Sequence, residues 1–204
     1  MKHPKPRQSD ASPPGRETVG LRIVGGTLRG RSLAYSGDER TRPMKDRVRE
    51  AVFNLLGPGV VGTHAIDLFA GTGALGLEAI SRGAVRATLL ERHLPTCKLI
   101  EGNAARLGIG EQVDVQFADT FKWNKLGQLP SDRRWVVFCS PPFEFYVSRT
   151  GDMLQLIERF LTAAPEGSRF AVEADERFDF GQLPAAGDWD VRKYFPAFVG
   201  VLVK

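Results

Sequence analysis

With 204 residues, 42% hydrophobic and 25% charged, the chain has the composition of one globular domain whose core needs no staples. No apolar stretch approaches the roughly 20 residues that span a bilayer, and the N-terminal MKHPKPRQSD lacks the apolar centre of a signal peptide. Two cysteines, Cys97 and Cys139, make neither a disulfide framework nor a metal-ligand spacing. A reduced, cytoplasmic protein with no membrane or metal partner is therefore expected, with Cys139 a buried, inert thiol. The net charge of +4 is unevenly spread: residues 1–50 hold 12 Lys and Arg against 6 Asp and Glu, and the remainder 16 against 18. A basic first quarter suits a nucleic-acid surface, because cations displace the counterions condensed on phosphate; on charge alone, a solvated basic tail fits equally well.

Residues 1–20 are rich in proline, serine and charge and are read as a disordered basic tail. In 21–42, LRIVGGTLRGRSLAY has two short apolar segments joined by a Gly- and Arg-rich link, a small β-hairpin extension. The core domain is placed at 43–204. PMKDRVREAVFNLLG is a helix, with Val48, Val52 and Leu55 at i, i+4 and i+7, Pro43 in its first turn and Gly57 at its end. Alternation follows: strand THAIDLF, helix GALGLEAISRG, strand RATLLE, helix PTCKLIEGNAARLG, strand QVDVQFAD, a weak helix FKWNKLGQL, strand WVVFCS, helix GDMLQLIERFLTAA and strand SRFAVEAD. WDVRKYF and AFVGVLVK then read as two strands joined at Pro196, with no room for a helix. Such a pattern implies an α/β fold with a mostly parallel sheet, helices on both faces, and an antiparallel C-terminal strand.

The loop DLFAGTGALG carries Gly71, Gly73 and Gly76 at G-x-G-x-x-G spacing, between the first core strand and its helix. A turn of this kind brings backbone close to a ligand, which side chains would prevent. Eighteen residues beyond Gly73, Glu91 ends the next strand, where a carboxylate can accept both hydroxyls of a ribose. These features fit a dinucleotide or S-adenosylmethionine, and a nucleotide-dependent oxidoreductase is the competing enzyme class. Two residues favour S-adenosylmethionine. Asp67 lies four residues before Gly71, within reach of a cationic amino group, where a pyrophosphate would gain nothing. Asp119 ends the third strand, where it can meet the exocyclic amine of adenine. Either aspartate can instead serve as a helix N-cap.

The fourth core strand ends in Ser140-Pro141-Pro142-Phe143. Two prolines stiffen the turn and remove its backbone donors. The Ser140 hydroxyl and the Pro141 carbonyl can then bind the N–H groups of a planar amine and expose its lone pair. Phe143 can stack on the base and hold it in line with a sulfonium methyl. A base buried in RNA must first be extruded.

Together these residues resemble the RsmD-type family of bacterial 16S rRNA guanine-N2 methyltransferases. The likeness covers roughly 21–204 and is most specific in LRIVGGTLRGRSL, RPMKDRVREAVFNLL and IDLFAGTGALGLEAISRGA. It implies a Rossmann-like class I methyltransferase fold with a seven-stranded sheet, S-adenosylmethionine as donor, and a guanine amine of 16S rRNA in the small ribosomal subunit as acceptor. A monomer is expected. The implied cofactor positions are Asp67, Phe69, Ala70, Gly71, Thr72, Gly73, Glu91, Arg92 and Asp119; the base-handling positions are Ser140, Pro141, Pro142 and Phe143. Arg22, Arg29, Arg31, Arg42, Lys45, Arg47 and Arg49 are the expected RNA-binding residues, although Arg47 can instead pair with Glu50. Two positions depart from the family pattern. Ser140 stands where the family turn usually starts with Asp, and Trp135 occupies an acidic position of the same strand. A hydroxyl accepts more weakly than a carboxylate and cannot take up the proton. Serine at this place is also seen in related turns of enzymes that methylate the N4 amine of cytosine. That leaves methylation of cytosine N4, or a degenerate non-catalytic RNA-binding protein, as alternatives.

Overall fold

The structure, a computed structural model, describes residues 20–38, 41, 43–185 and 187–204. The expected N-terminal tail up to residue 19, and Arg42, lie outside the described residues.

A single seven-stranded sheet organises the chain. Its strands are β1 (His64–Asp67), β2 (Arg86–Glu91), β3 (Val113–Phe117), β4 (Trp135–Cys139), β5 (Arg169–Asp175), β6 (Asp190–Tyr194) and β7 (Ala197–Val203), in the order β3-β2-β1-β4-β5-β7-β6. All neighbours from β3 to β5 run parallel, and β7 is antiparallel to both β5 and β6. The expected C-terminal pair is present, but its second strand enters the sheet and leaves β6 as the edge. Composition explains this: AFVGVLV can be buried, whereas DVRKY is exposed along most of its length.

The helices are α1 (Asp46–Leu56), α2 (Ala74–Ser81), α3 (Leu94–Leu107), a single turn α4 (Phe145–Ser148) and α5 (Thr150–Ala163). The apolar run of β4 supplies both faces in strict alternation. Val136 and Phe138 join the core under α1–α3, while Trp135, Val137 and Cys139 join the core under α5. FKWNKLGQL is not an α-helix. It has no apolar face of period 3.6; instead Trp123 is buried, stacked on Phe160 at 6.1 Å, and bonded through Nε1 to Gln116. Its helical content is one short 3-10 turn, Leu126–Gln128. Helix α1 begins at Asp46, three residues after Pro43 and not with it in the first turn, because Lys45, the N-cap, has the extended ψ of 140°. The Met44 carbonyl before it accepts from the Arg49 guanidinium.

The segment from Leu21 to Leu33 folds back on itself through a single bridge between Arg22 and Ser32, without the paired strands of the β-hairpin expected over 21–42. It is pinned to the core by a buried network. Arg49, with 0% exposure, binds Glu78 of α2 through Nε at 2.8 Å, the Arg22 carbonyl at 2.6 Å and Asp46 at 2.9 Å. The second oxygen of Glu78 takes Arg82, and the Val24 amide also donates to Glu78. Arg49 is thus not available to RNA, contrary to the sequence expectation; every arm of its guanidinium is spent on protein acceptors. At Gly26, φ is +80° and a Cβ would lie 2.0 Å from the Ser81 carbonyl, so only glycine lets the arm lie this close to α2.

Removing Arg49 takes one cation from the buried Glu78, which keeps Arg82, and strips the Arg22 carbonyl of its donor, a loss of roughly 3 kcal/mol, the low end for breaking a buried pair. Arg49→Ala is therefore expected to lower unfolding stability by that order in urea titration. Arg22→Ala, which loses only an exposed contact to Asp46, should change it by less than about 1 kcal/mol.

Candidate functional site

The carboxyl ends of β1, β2, β3 and β4 converge where the strand order reverses, the position at which open α/β sheets bind ligands. The glycine loop stands there. Its backbone amides close inward, Ala70 donating to the Leu90 carbonyl and Gly73 to the Ala70 carbonyl. Gly73 has φ +76° and would place a Cβ 2.8 Å from Ile100, while a Cβ at Gly76 would strike Leu89 at 2.8 Å. One glycine makes the turn and the other seats α2 on β2. Thr72 and Ala70 are buried in the same turn.

Asp67, the last residue of β1, is 1% exposed, and both carboxylate oxygens lack a hydrogen-bond partner. Burial pushes its pKa up to about 7; the backbone amides of Phe69 and Gly76 pull it partly back without reaching good bonding geometry, and the nearby Glu91 raises it further. An orphaned buried carboxylate of this kind is completed by a cationic group. Glu91 differs. Its oxygens accept from the Gly71 amide at 2.9 Å and the His93 amide at 2.8 Å, so it braces the glycine loop as well as facing the cleft end of β2. Asp119 accepts from the Phe121 amide at 3.1 Å and so caps its own turn. The Thr120 hydroxyl bonds the Leu68 carbonyl, tying that turn to the end of β1.

An aromatic cluster lies beside these acids. Phe69, Phe121 and Phe145 meet with centroids 5.8–6.1 Å apart. The Arg149 guanidinium stacks 3.8 Å over Phe121, and that of the exposed Arg92 lies 5.8 Å over Phe145. Sequence reasoning named Phe69 and Arg92 but missed Phe121, Phe145 and Arg149. The available signal was position, since Phe69 and Phe121 each follow an aspartate by two residues. Asp67 ends β1, whereas Asp119, expected to end the third strand, lies two residues beyond it because β3 stops at Phe117.

The turn after β4 places Pro141 inside and Pro142 outside. Phe143 is half-buried at the margin of the α1-side core, as are Tyr35, Met44 and Tyr194. The Ser140 hydroxyl donates to the Glu173 carboxylate of β5, a residue that sequence reasoning did not single out. Its one signal was a charge inside the apolar run FAVEA. Cys139, one residue before, is buried, and burial pushes its thiol up to about 12, the inert state expected.

The basic residues are scattered. Arg29 is exposed on the arm, Arg31 is exposed and reaches the Arg106 carbonyl, Arg22 pairs with Asp46, and Lys45 is exposed before α1. Arg47 donates to the Phe195 carbonyl at 3.4 Å and not to Glu50. It thereby joins the arm side to the β6–β7 turn, where Phe195 is 63% exposed and Lys193 lies 5.7 Å over its ring. No cluster of potential metal ligands, and no helix long and apolar enough to cross a membrane, occurs among the described residues.

A family model described as "Conserved hypothetical protein 95" matches residues 21–183. The chain is 40% identical over 123 residues to "Ribosomal RNA small subunit methyltransferase D" of Escherichia coli (strain K12), which is 60% of this chain and 60% of that protein. It is 37% identical over 126 residues to the Haemophilus influenzae protein of the same name, 61% of this chain and 65% of that one. The match thus spans about three-fifths of the length of these relatives. A solved structure, "Putative methyltransferase yhhF from Escherichia coli", superposes with a TM-score of 0.71 and 30% identity over 89% of this chain and 96% of that one.

Because the Asp67 pKa is raised in the folded state, its ionisation costs stability. The stability contributed by the neutral carboxyl is fully present below about pH 4 and is lost as pH rises through about 7. His64, pushed down to about 4 by burial, works oppositely below pH 6.5. The difference between wild type and Asp67→Asn isolates the aspartate. In the ligand-free protein the wild-type melting temperature should fall relative to the variant between pH 4 and 7 and level off above; parallel curves would contradict the buried carboxyl.

Proposed function

Since the chain belongs to the family described as "Conserved hypothetical protein 95", the RsmD family, we propose that it is an S-adenosylmethionine-dependent enzyme. Its reaction is the methylation of the exocyclic N2 amine of a guanine in 16S rRNA. The observation that carries this reading is the orphaned Asp67 carboxylate on the same cleft as a proline-stiffened Ser-Pro-Pro-Phe turn. Oxidoreduction with a dinucleotide leaves both features without use.

Asp67 holds the amino group of the cofactor's methionine moiety, and Glu91, braced by the loop amides, keeps lone pairs for ribose hydroxyls. Asp119 retains one oxygen for the adenine amine, next to Phe69 and Phe121. Ala70, Gly71, Thr72 and Gly73 form the backbone wall, and Arg92 covers its outer side. When bound, the cofactor supplies an electrophilic methyl on sulfur. Ser140 and the Pro141 carbonyl bind the amine N–H groups, the two prolines fix their direction, and Phe143 stacks on the base. The serine at this position keeps methylation of the cytosine N4 amine as a second reading.

Arg22, Arg29, Arg31, Lys45 and Arg47 form the rRNA-binding face, extended by Lys193 and by Phe195 as a stacking surface. The protein works as a monomer on the small ribosomal subunit.

Mass spectrometry of small-subunit rRNA nucleosides, from cells with and without the gene, is expected to show one N2-methylguanosine lost. Loss of an N4-methylcytidine selects the second reading, and an unchanged profile refutes both. Replacing Arg29 and Arg31 together with Ala should weaken rRNA binding and reduce the slope of log K against log salt by about 1 per arginine; an unchanged slope removes them from the interface.

A further inference from the structure

We infer that Glu173 is the proton acceptor of the site, acting through the Ser140 hydroxyl. This rests on the proposed methyl transfer and concerns how its proton is removed.

Ser140 alone leaves the chemistry unbalanced. As the amine nitrogen bonds the methyl carbon, the S–C electron pair stays on sulfur and the nitrogen becomes cationic with one proton too many. A serine hydroxyl cannot keep that proton. It can relay it, taking the amine proton on Oγ while passing its own to a base behind it. The structure supplies that base. Cys139 of β4 is registered opposite Val172 of β5, so the next residues, Ser140 and Glu173, lie level on one face of adjacent strands. The Ser140 hydroxyl already points its proton at Glu173 Oε2. The product is then a neutral methylated amine, a neutral thioether and a protonated Glu173.

The surroundings suit a base. Glu173 is 9% exposed, and no positive partner holds its charge among the ion pairs found in the described residues. Burial raises its pKa, with the Ser140 bond opposing, which strengthens it as a proton acceptor. Tyr146 of α4 lies within its field and is held neutral, its own pKa pushed well above the usual value by burial. Cys139, which bonds that tyrosine, is neutral as well. From β7 the residue opposite is the apolar Val199.

Glu173→Gln decides between a relay and a brace. Glutamine retains an acceptor for the Ser140 hydroxyl and nearly the same shape but cannot take the proton. A relay predicts kcat lower by about 100-fold or more, an unchanged KM for S-adenosylmethionine, unchanged S-adenosylhomocysteine affinity, and loss of the acidic limb of the pH–kcat profile. Adding Ser140→Asp, which puts a carboxylate at the turn itself, should restore much of the rate in the Glu173→Gln background. A Glu173→Gln protein as fast as wild type overturns the proposal. A second measurement needs no variant in the reaction: the Glu173 carboxyl, followed by carbon-13 NMR in wild type, should titrate at the midpoint of the acidic limb, and this titration should shift in Ser140→Ala. Midpoints that differ overturn the relay. A wild type without methyl transfer to any rRNA amine overturns the functional reading and the relay with it, whereas active wild type with equally active Glu173→Gln overturns the relay alone.

Discussion

The buried pairing of Arg49 with Glu78 is the contact on which the arrangement of the molecule depends. Glu78 lies on α2, whose first turn is the end of the glycine loop. Arg49 lies on α1 and also holds the Arg22 carbonyl of the N-terminal segment. A single guanidinium thus ties the basic segment, α1 and the cofactor-side helix into one body. The desolvation of two charges is offset only because each donor has an acceptor at 2.6–3.3 Å. Methionine or leucine at 49 would fill the space but would leave the Arg22 carbonyl without its donor and Glu78 with Arg82 as its remaining cation. The segment is in that sense part of the core, not a separate module carried beside it.

The opposite choice was made at Asp67. There a carboxylate is buried with no partner, which costs stability unless something positive arrives. The contrast between Glu78, with both oxygens matched, and Asp67, with neither, separates structure from function better than burial does, since both are nearly inaccessible. Glu91 stands between them, bracing the glycine loop through one oxygen while it closes the end of β2.

Much of this was legible in the sequence because strand and helix periods do not overlap. The order of the strands, the glycine turn and the acids that end β1 and β2 follow from local pattern. What escaped required tertiary knowledge. Arg49 looks like a phosphate contact in the sequence because a basic residue in a basic segment looks solvated; nothing local says that a glutamate 29 residues later waits beneath it. FKWNKLGQL has the length for a helix, yet Trp123 stacked on Phe160 pulls it into the core. Glu173 was hidden for another reason. One charge in an apolar strand gives no sign of its neighbour until the β4–β5 register is known.

That register also resolves the awkwardness of Ser140. Judged alone, a serine at the head of the turn is a weaker acceptor than a carboxylate and a poor sink for a proton. Judged with β5 beside it, the same oxygen has a carboxylate behind it and a stiff pair of prolines in front. Donating its hydrogen to Glu173 leaves the serine lone pairs facing away from β5, and Pro141, lacking an amide hydrogen, cannot compete for them. An aspartate at 140 would bring two acceptors but would set a second carboxyl against the buried Glu173, and like charges in so dry a place raise one another's pKa. Serine at the turn and glutamate on the neighbouring strand therefore belong together as one acid–base unit divided between two strands.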